Sequence, residues 1–161
     1  MEIQKTVLVI ALLVLTSRAW SEAPATEIPM AVSAAKTLYV SVGISGLQAS
    51  QFMVDTGSSY TTINELTLER LRASGQAHFK RKLNGVLANG DELVVLVYAI
   101  SKIVIGNRCV LHDVEAAVFP GRTRQILGLN VLAQASPFLF SINPPLLTLN
   151  HCDQQLSQED P

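Results

Sequence analysis

Phe52-Met53-Val54-Asp55-Thr56-Gly57-Ser58-Ser59-Tyr60 puts an acid at the end of an apolar run and follows it with a hydroxyl, a glycine and two more hydroxyls. Burying a lone carboxylate costs far more than local packing returns, so an acid in that position is paired, hydrogen-bonded or chemically employed. Thr56 and Ser58 carry side-chain donors suited to the carboxylate, and Gly57 lets backbone N–H groups approach it with no Cβ in the way. Two roles are open to Asp55 on these residues alone. One is chemical; the other is capping its own turn through backbone N–H groups, an ordinary task for Asp beside Gly and Ser.

Other chemistries find less support. His78, His112 and His151 are widely spaced and neither Cys109 nor Cys152 belongs to a Cys-x-x-Cys pair, so no metal site is expected. A net charge of -1 with scattered basic residues leaves no footprint for nucleic acid. The one basic cluster, Lys80-Arg81-Lys82, reads as a solvated loop. At 161 residues and 48% hydrophobic, the chain can bury one real core and is too short for two ordinary domains.

The N-terminus reads as targeting. An apolar run over residues 6–15 lies between Lys5 and the small-residue stretch Ser17-Arg18-Ala19, the pattern of a signal peptide over residues 1–19, with cleavage possible up to residue 25. The run is shorter than the roughly 20 residues a membrane span needs, so membrane attachment arises only if this segment stays uncleaved. Export would set Cys109 and Cys152 in an oxidising compartment, where one disulfide between them is possible. Residues 20–36 are rich in Ala, Pro and Ser without a period and read as a flexible lead-in, and residues 151–161 as a polar tail.

Between them, residues 37–150 read as an all-β domain with one or two short helices. Residues 38–44 alternate, Ser45-Gly46 is a turn signal, and residues 49–54 form the strand that delivers Asp55. Residues 60–63 are a further strand, and Asn64 is a fitting N-cap for a short helix ending near Gly75. Residues 79–87 and 93–100 flank Ala88-Asn89-Gly90-Asp91, a long hairpin with an Asn-Gly tip. Strands at 101–105, 110–119, 138–142 and 146–149 complete the pattern.

Taken in order, the acidic loop, the hairpin and Gln125-Ile126-Leu127-Gly128-Leu129-Asn130 resemble the single-domain, retropepsin-like aspartic proteases of bacteria, a group often exported or membrane-anchored. The resemblance implies a small closed β-barrel-like fold in which Asp55 is the catalytic acid/base, Thr56 hydrogen-bonds across the dyad, and Gly57 and Ser58 shape the loop. It implies a flap with Asn89 and Gly90 at its tip and Val86, Leu87 and Ala88 near the substrate backbone. Ile126, Leu127 and Gly128 carry the second signature: Gly128 passes close to the acidic loop and Ile126 lines a pocket. The substrate would be a polypeptide and no cofactor is called for. Three features depart from the pattern: Asp91 follows the flap glycine, the flap lacks an obvious aromatic, and Leu129 replaces the arginine of viral relatives.

Hydrolysis of this kind needs two carboxylates sharing a proton, and the chain holds one Asp-Thr-Gly. The expectation is therefore a homodimer with one Asp55 from each copy, in the bacterial periplasm or anchored at its membrane. The alternative is an exported peptide-binding module of the same fold that does not cut.

Overall fold

The computed structural model describes residues 25–86 and 89–154. In chain order it contains β1 (Thr26–Pro29), β2 (Ala31–Val32), β3 (Leu38–Ile44), β4 (Ser50–Val54), β5 (Thr61–Asn64), α1 (Glu65–Ala73), β6 (Ala77–Val86), β7 (Glu92–Ile105), β8 (Cys109–Phe119), β9 (Ile126–Leu127), α2 (Leu129–Gln134), β10 (Phe138–Ser141), β11 (Leu146–Leu149) and β12 (Asp153–Gln154). The expected signal segment lies outside the described residues, and no described helix is long and apolar enough to cross a membrane.

Alternation decides the strands. Leu38, Val40, Val42 and Ile44 of β3 are buried and the residues between them partly exposed, so a slip of one residue would turn the whole apolar set outward. Pairings run β8-β5-β9-β4-β3-β7, and β7 pairs again with β8, which closes a ring of six strands. Phe52, Val54, Ile63, Leu127, Val131 and Leu132 are buried within the core this ring organises. Helix α1 begins where expected: Asn64 accepts from the Thr67 N–H at 2.9 Å, and Leu68 and Leu71 face the core. The runs expected separately at 93–100 and 101–105 form one strand, β7, whose outer part makes the hairpin with β6 and whose inner part belongs to the ring.

Two boundaries are corrected. Residues 20–36 were expected as a flexible lead-in, yet β1 pairs antiparallel with β11 and β2 with β3. Ile28 is buried against Gly106, and the Met30 N–H donates to the Pro145 carbonyl. The ordered domain thus begins at Thr26 rather than Thr37. At the other end, β12 pairs with β8 and Cys152 is bonded to Cys109, so the expected tail starts later than residue 151.

Candidate active site

Asp55 directly follows β4. Strand β9 lies between β4 and β5, with Met53 opposite Ile126 and Val54 opposite Leu127 in parallel register. The Asp55 N–H donates to the Leu127 carbonyl at 3.1 Å, which fixes the backbone that carries the acid. The carboxylate accepts the Gly57 N–H at 2.9 Å, and a Cβ on Gly57 would come within 3.2 Å of the same oxygen. Gly57 therefore combines a donor with clearance. Asp55 is half-buried while Thr56 and Gly57 are exposed, so the acid opens toward solvent. The Ser58 hydroxyl, expected to serve the carboxylate, donates instead to the Tyr60 carbonyl at 2.8 Å.

The second signature locks this loop from beneath. Gly128 passes so close that a Cβ there would overlap the Tyr60 carbonyl group, and its N–H donates to the Thr61 hydroxyl at 3.1 Å. The N–H groups of Leu129 and Asn130, unpaired within α2 as the first donors of any helix are, donate to the carbonyls of Ser58 and Ser59. Asn130 does more than was anticipated: its side-chain oxygen accepts the Thr61 N–H at 2.7 Å and its amide donates to the Glu115 carbonyl at 2.6 Å. Leu129 occupies the position of the missing arginine and joins the loop through its backbone. Ile126, expected to line a pocket, is paired through its backbone with Met53 and Thr62 and is half-buried.

A cleft of about 370 Å³ opens between this loop and the hairpin of β6 and β7. Gly57, Ser58 and Tyr60 form one wall, Leu83, Gly85 and Val86 the other, with Val95, Ala117 and Phe119 behind. Val86, expected in the flap, lines this cleft; Leu83 and Gly85 were not singled out from the sequence and are the inward members of β6, opposite Val95 and Leu93. At the tip, Gly90 has φ +88° and Asp91 is engaged by Asn89, whose amide donates to the Asp91 carboxylate at 2.6 Å. Asn89 and Gly90 do not reach the cleft wall, and Leu87 and Ala88 lie outside the described residues.

Lys80-Arg81-Lys82 is not a loop but part of β6, and its middle residue turns inward. Arg81 donates to both Glu115 oxygens, at 2.8 and 2.6 Å, and to the Tyr60 hydroxyl at 2.8 Å. The guanidinium holds the Glu115 carboxyl below the usual carboxylate range, and the same hydrogen bonds push Arg81 higher. Among the described residues no group of three or more His, Cys, Asp or Glu could hold a metal ion.

The family model described as Aspartyl protease matches residues 40–131, from β3 into α2, and so takes in the acidic loop, the hairpin and the Ile-Leu-Gly run. Among solved structures, a retropepsin-like aspartic protease from Rickettsia conorii shares the fold, with a TM-score of 0.60 at 21% sequence identity over 82% of this chain and 96% of that chain. A search of curated proteins found no match. The matched segment is more than half of the chain and contains both sides of the cleft; with this retropepsin-like fold, the chain belongs to the aspartyl protease family.

Proposed function

We propose that the protein is an aspartic endopeptidase that works as a homodimer, each copy contributing Asp55 to one shared site. The observation that carries this reading is a single Asp-Thr-Gly carboxylate, half-exposed beside a cleft that a long hairpin covers. One carboxylate cannot both take a proton from water and give one to the peptide carbonyl in the same step. In the dimer, the ionised Asp55 removes a proton from water as its oxygen bonds to the carbonyl carbon. The neutral Asp55 of the second copy protonates the carbonyl oxygen, and a tetrahedral diol forms. On breakdown the Asp55 that took the water proton gives it to the amine nitrogen as the C–N bond breaks, and the Asp55 of the second copy takes a proton from a diol hydroxyl, which restores the starting pair. A pair of carboxylates sharing one proton works in mild acid.

The substrate is a polypeptide bound as an extended strand between hairpin and loop, gripped by main-chain hydrogen bonds. Exposure of Thr56 beside the acid supports its reach to the second copy. We also place the protein outside the cytoplasm, in a bacterial periplasm or at its membrane; the bond between Cys109 and Cys152 supports this, since such bridges persist in oxidising compartments. The test is cleavage of an unbiased peptide library at about pH 4 to 7, the range in which carboxylate pairs work, by the native chain and by Asp55→Asn. Cleavage by the native chain alone supports the reading. A folded dimer that binds peptides but leaves them intact would replace it with a peptide-binding module.

A further inference from the structure

The geometry points to Arg81 as a positioning residue: with Glu115 and Tyr60 it forms a latch that holds the root of the flap against the catalytic loop and so presets the cleft for peptide. This rests on the protease reading for its consequence, though not for its existence. Three separate parts of the chain meet in it: β6 of the flap, β8 of the ring, and the residue that ends the acidic loop. Glu115 is a fixed anchor, because its backbone carbonyl accepts from Asn130, which also holds the Thr61 N–H. Tyr60 lines the cleft directly. Among the described hydrogen bonds, those of Arg81 are the only ones from a flap side chain to the loop.

A second observation shows that the strand is built for this contact. The β6–β7 register shifts between Phe79 and Arg81, so that Phe79 faces Tyr98 while Arg81, not Lys80, faces Val97. Without the extra residue Arg81 would point to the opposite face. Val97 in turn pairs with Ala117, a wall of the cleft, so the irregularity turns Arg81 onto the cleft side, where Glu115 lies two residues along β8. Bulges that re-aim a single side chain are over-represented beside active sites. Lys80 and Lys82, exposed on either side, show what the run would have been otherwise.

Unlatched, the flap samples positions in which the cleft is not formed, and apparent affinity falls by the fraction that remains competent. The carboxylates that move protons are untouched, so turnover at saturation persists. The full chain is compared with Arg81→Lys, which keeps charge but loses the two-pronged contact, with Tyr60→Phe, and with the exchanged pair Arg81→Glu plus Glu115→Arg. Amide hydrogen exchange is followed over residues 83–86 and 92–97, with residues 38–44 as an internal control; KM and kcat are measured on a peptide taken from the library. For Arg81→Lys the account predicts flap exchange about tenfold faster with the control strand unchanged, and KM raised about tenfold at nearly constant kcat. Tyr60→Phe should show part of both effects and the exchanged pair should recover part. Unchanged flap exchange, or exchange raised equally in both regions, overturns the latch. If native protein fails to cleave, the function falls while the exchange comparison still decides the latch; if it cleaves and Arg81→Lys loses kcat at constant KM, the positioning role is refuted.

Discussion

Replacing Gly128 by alanine tests one steric contact at the centre of the site. The backbone there is extended, with φ -98°, a conformation alanine adopts freely, so no dihedral strain enters. A Cβ at this position overlaps the Tyr60 carbonyl group and lies 2.8 Å from the Thr61 nitrogen. Both obstacles are main chain, in a segment tied by Leu129 and Asn130, and they cannot rotate aside as the end of a long side chain would. Overpacking where side chains can yield costs about 1–3 kcal/mol, so about 3 kcal/mol is the reasonable floor here. Displacing the Gly128 N–H from the Thr61 hydroxyl adds about 1 kcal/mol. Against a total stability of about 5–15 kcal/mol, a loss near 4 is severe but measurable. Urea denaturation of the full chain should show a lowered midpoint at constant slope. Cleavage should fall further than the folded fraction does, because misplacing reacting groups by about 1 Å costs about a hundredfold in rate. A Gly128→Ala protein with the native midpoint would refute the close approach of β9 to the acidic loop.

The remaining predictions use other parts of the same frame. A chain started at Thr37 loses the burial of Ile28 and Met30, worth about 3–6 kcal/mol together, and its urea midpoint should fall well below that of a chain started at Ala25. Gly85→Ala adds a methyl that meets the Leu93 carbonyl at 3.6 Å and Val95 at 3.9 Å, both ordinary contacts. Its thermal midpoint should stay level or rise by the equivalent of up to about 1 kcal/mol, while preference in the peptide library shifts toward smaller side chains in the narrowed cleft. Arg81, with a smaller effect from Lys80, lowers the Glu115 carboxyl in the folded state. A depressed carboxyl contributes stability above its unfolded value and loses it as pH falls through the folded one; Glu115→Gln should therefore lower stability most near neutrality and flatten the acid limb, the two proteins converging as pH falls below the ordinary glutamate range.

How much could be read from the chain depended on whether a residue's role is set locally. Asp55-Thr56-Gly57 and the Asn64 cap answer to their neighbours, whereas Gly128 was marked only by the family resemblance, because the backbone it passes, at Tyr60, is remote in the chain. The hairpin was legible in Asn89-Gly90. By contrast, β1 presents one inward residue, Ile28, and exists because β11 lies beside it, a partner that no local pattern reveals. Arg81 was hidden for a related reason: a charge run looks solvated until the shifted register past Phe79 changes the face of its middle member. Asn130 had a visible signal, an amide two residues beyond the glycine, whose use required knowing that Thr61 and Glu115 converge on it.

The central claim is that one site needs an Asp55 from each of two copies. Its most direct test holds native protein at fixed concentration and adds increasing Asp55→Asn protein, allowing subunits to exchange, while cleavage of a library peptide is followed. The account predicts that the rate falls as native chains are drawn into mixed pairs that hold one carboxylate. A rate indifferent to the added variant, from a native chain that cuts, would mean that a single copy carries the chemistry and that the shared site is wrong.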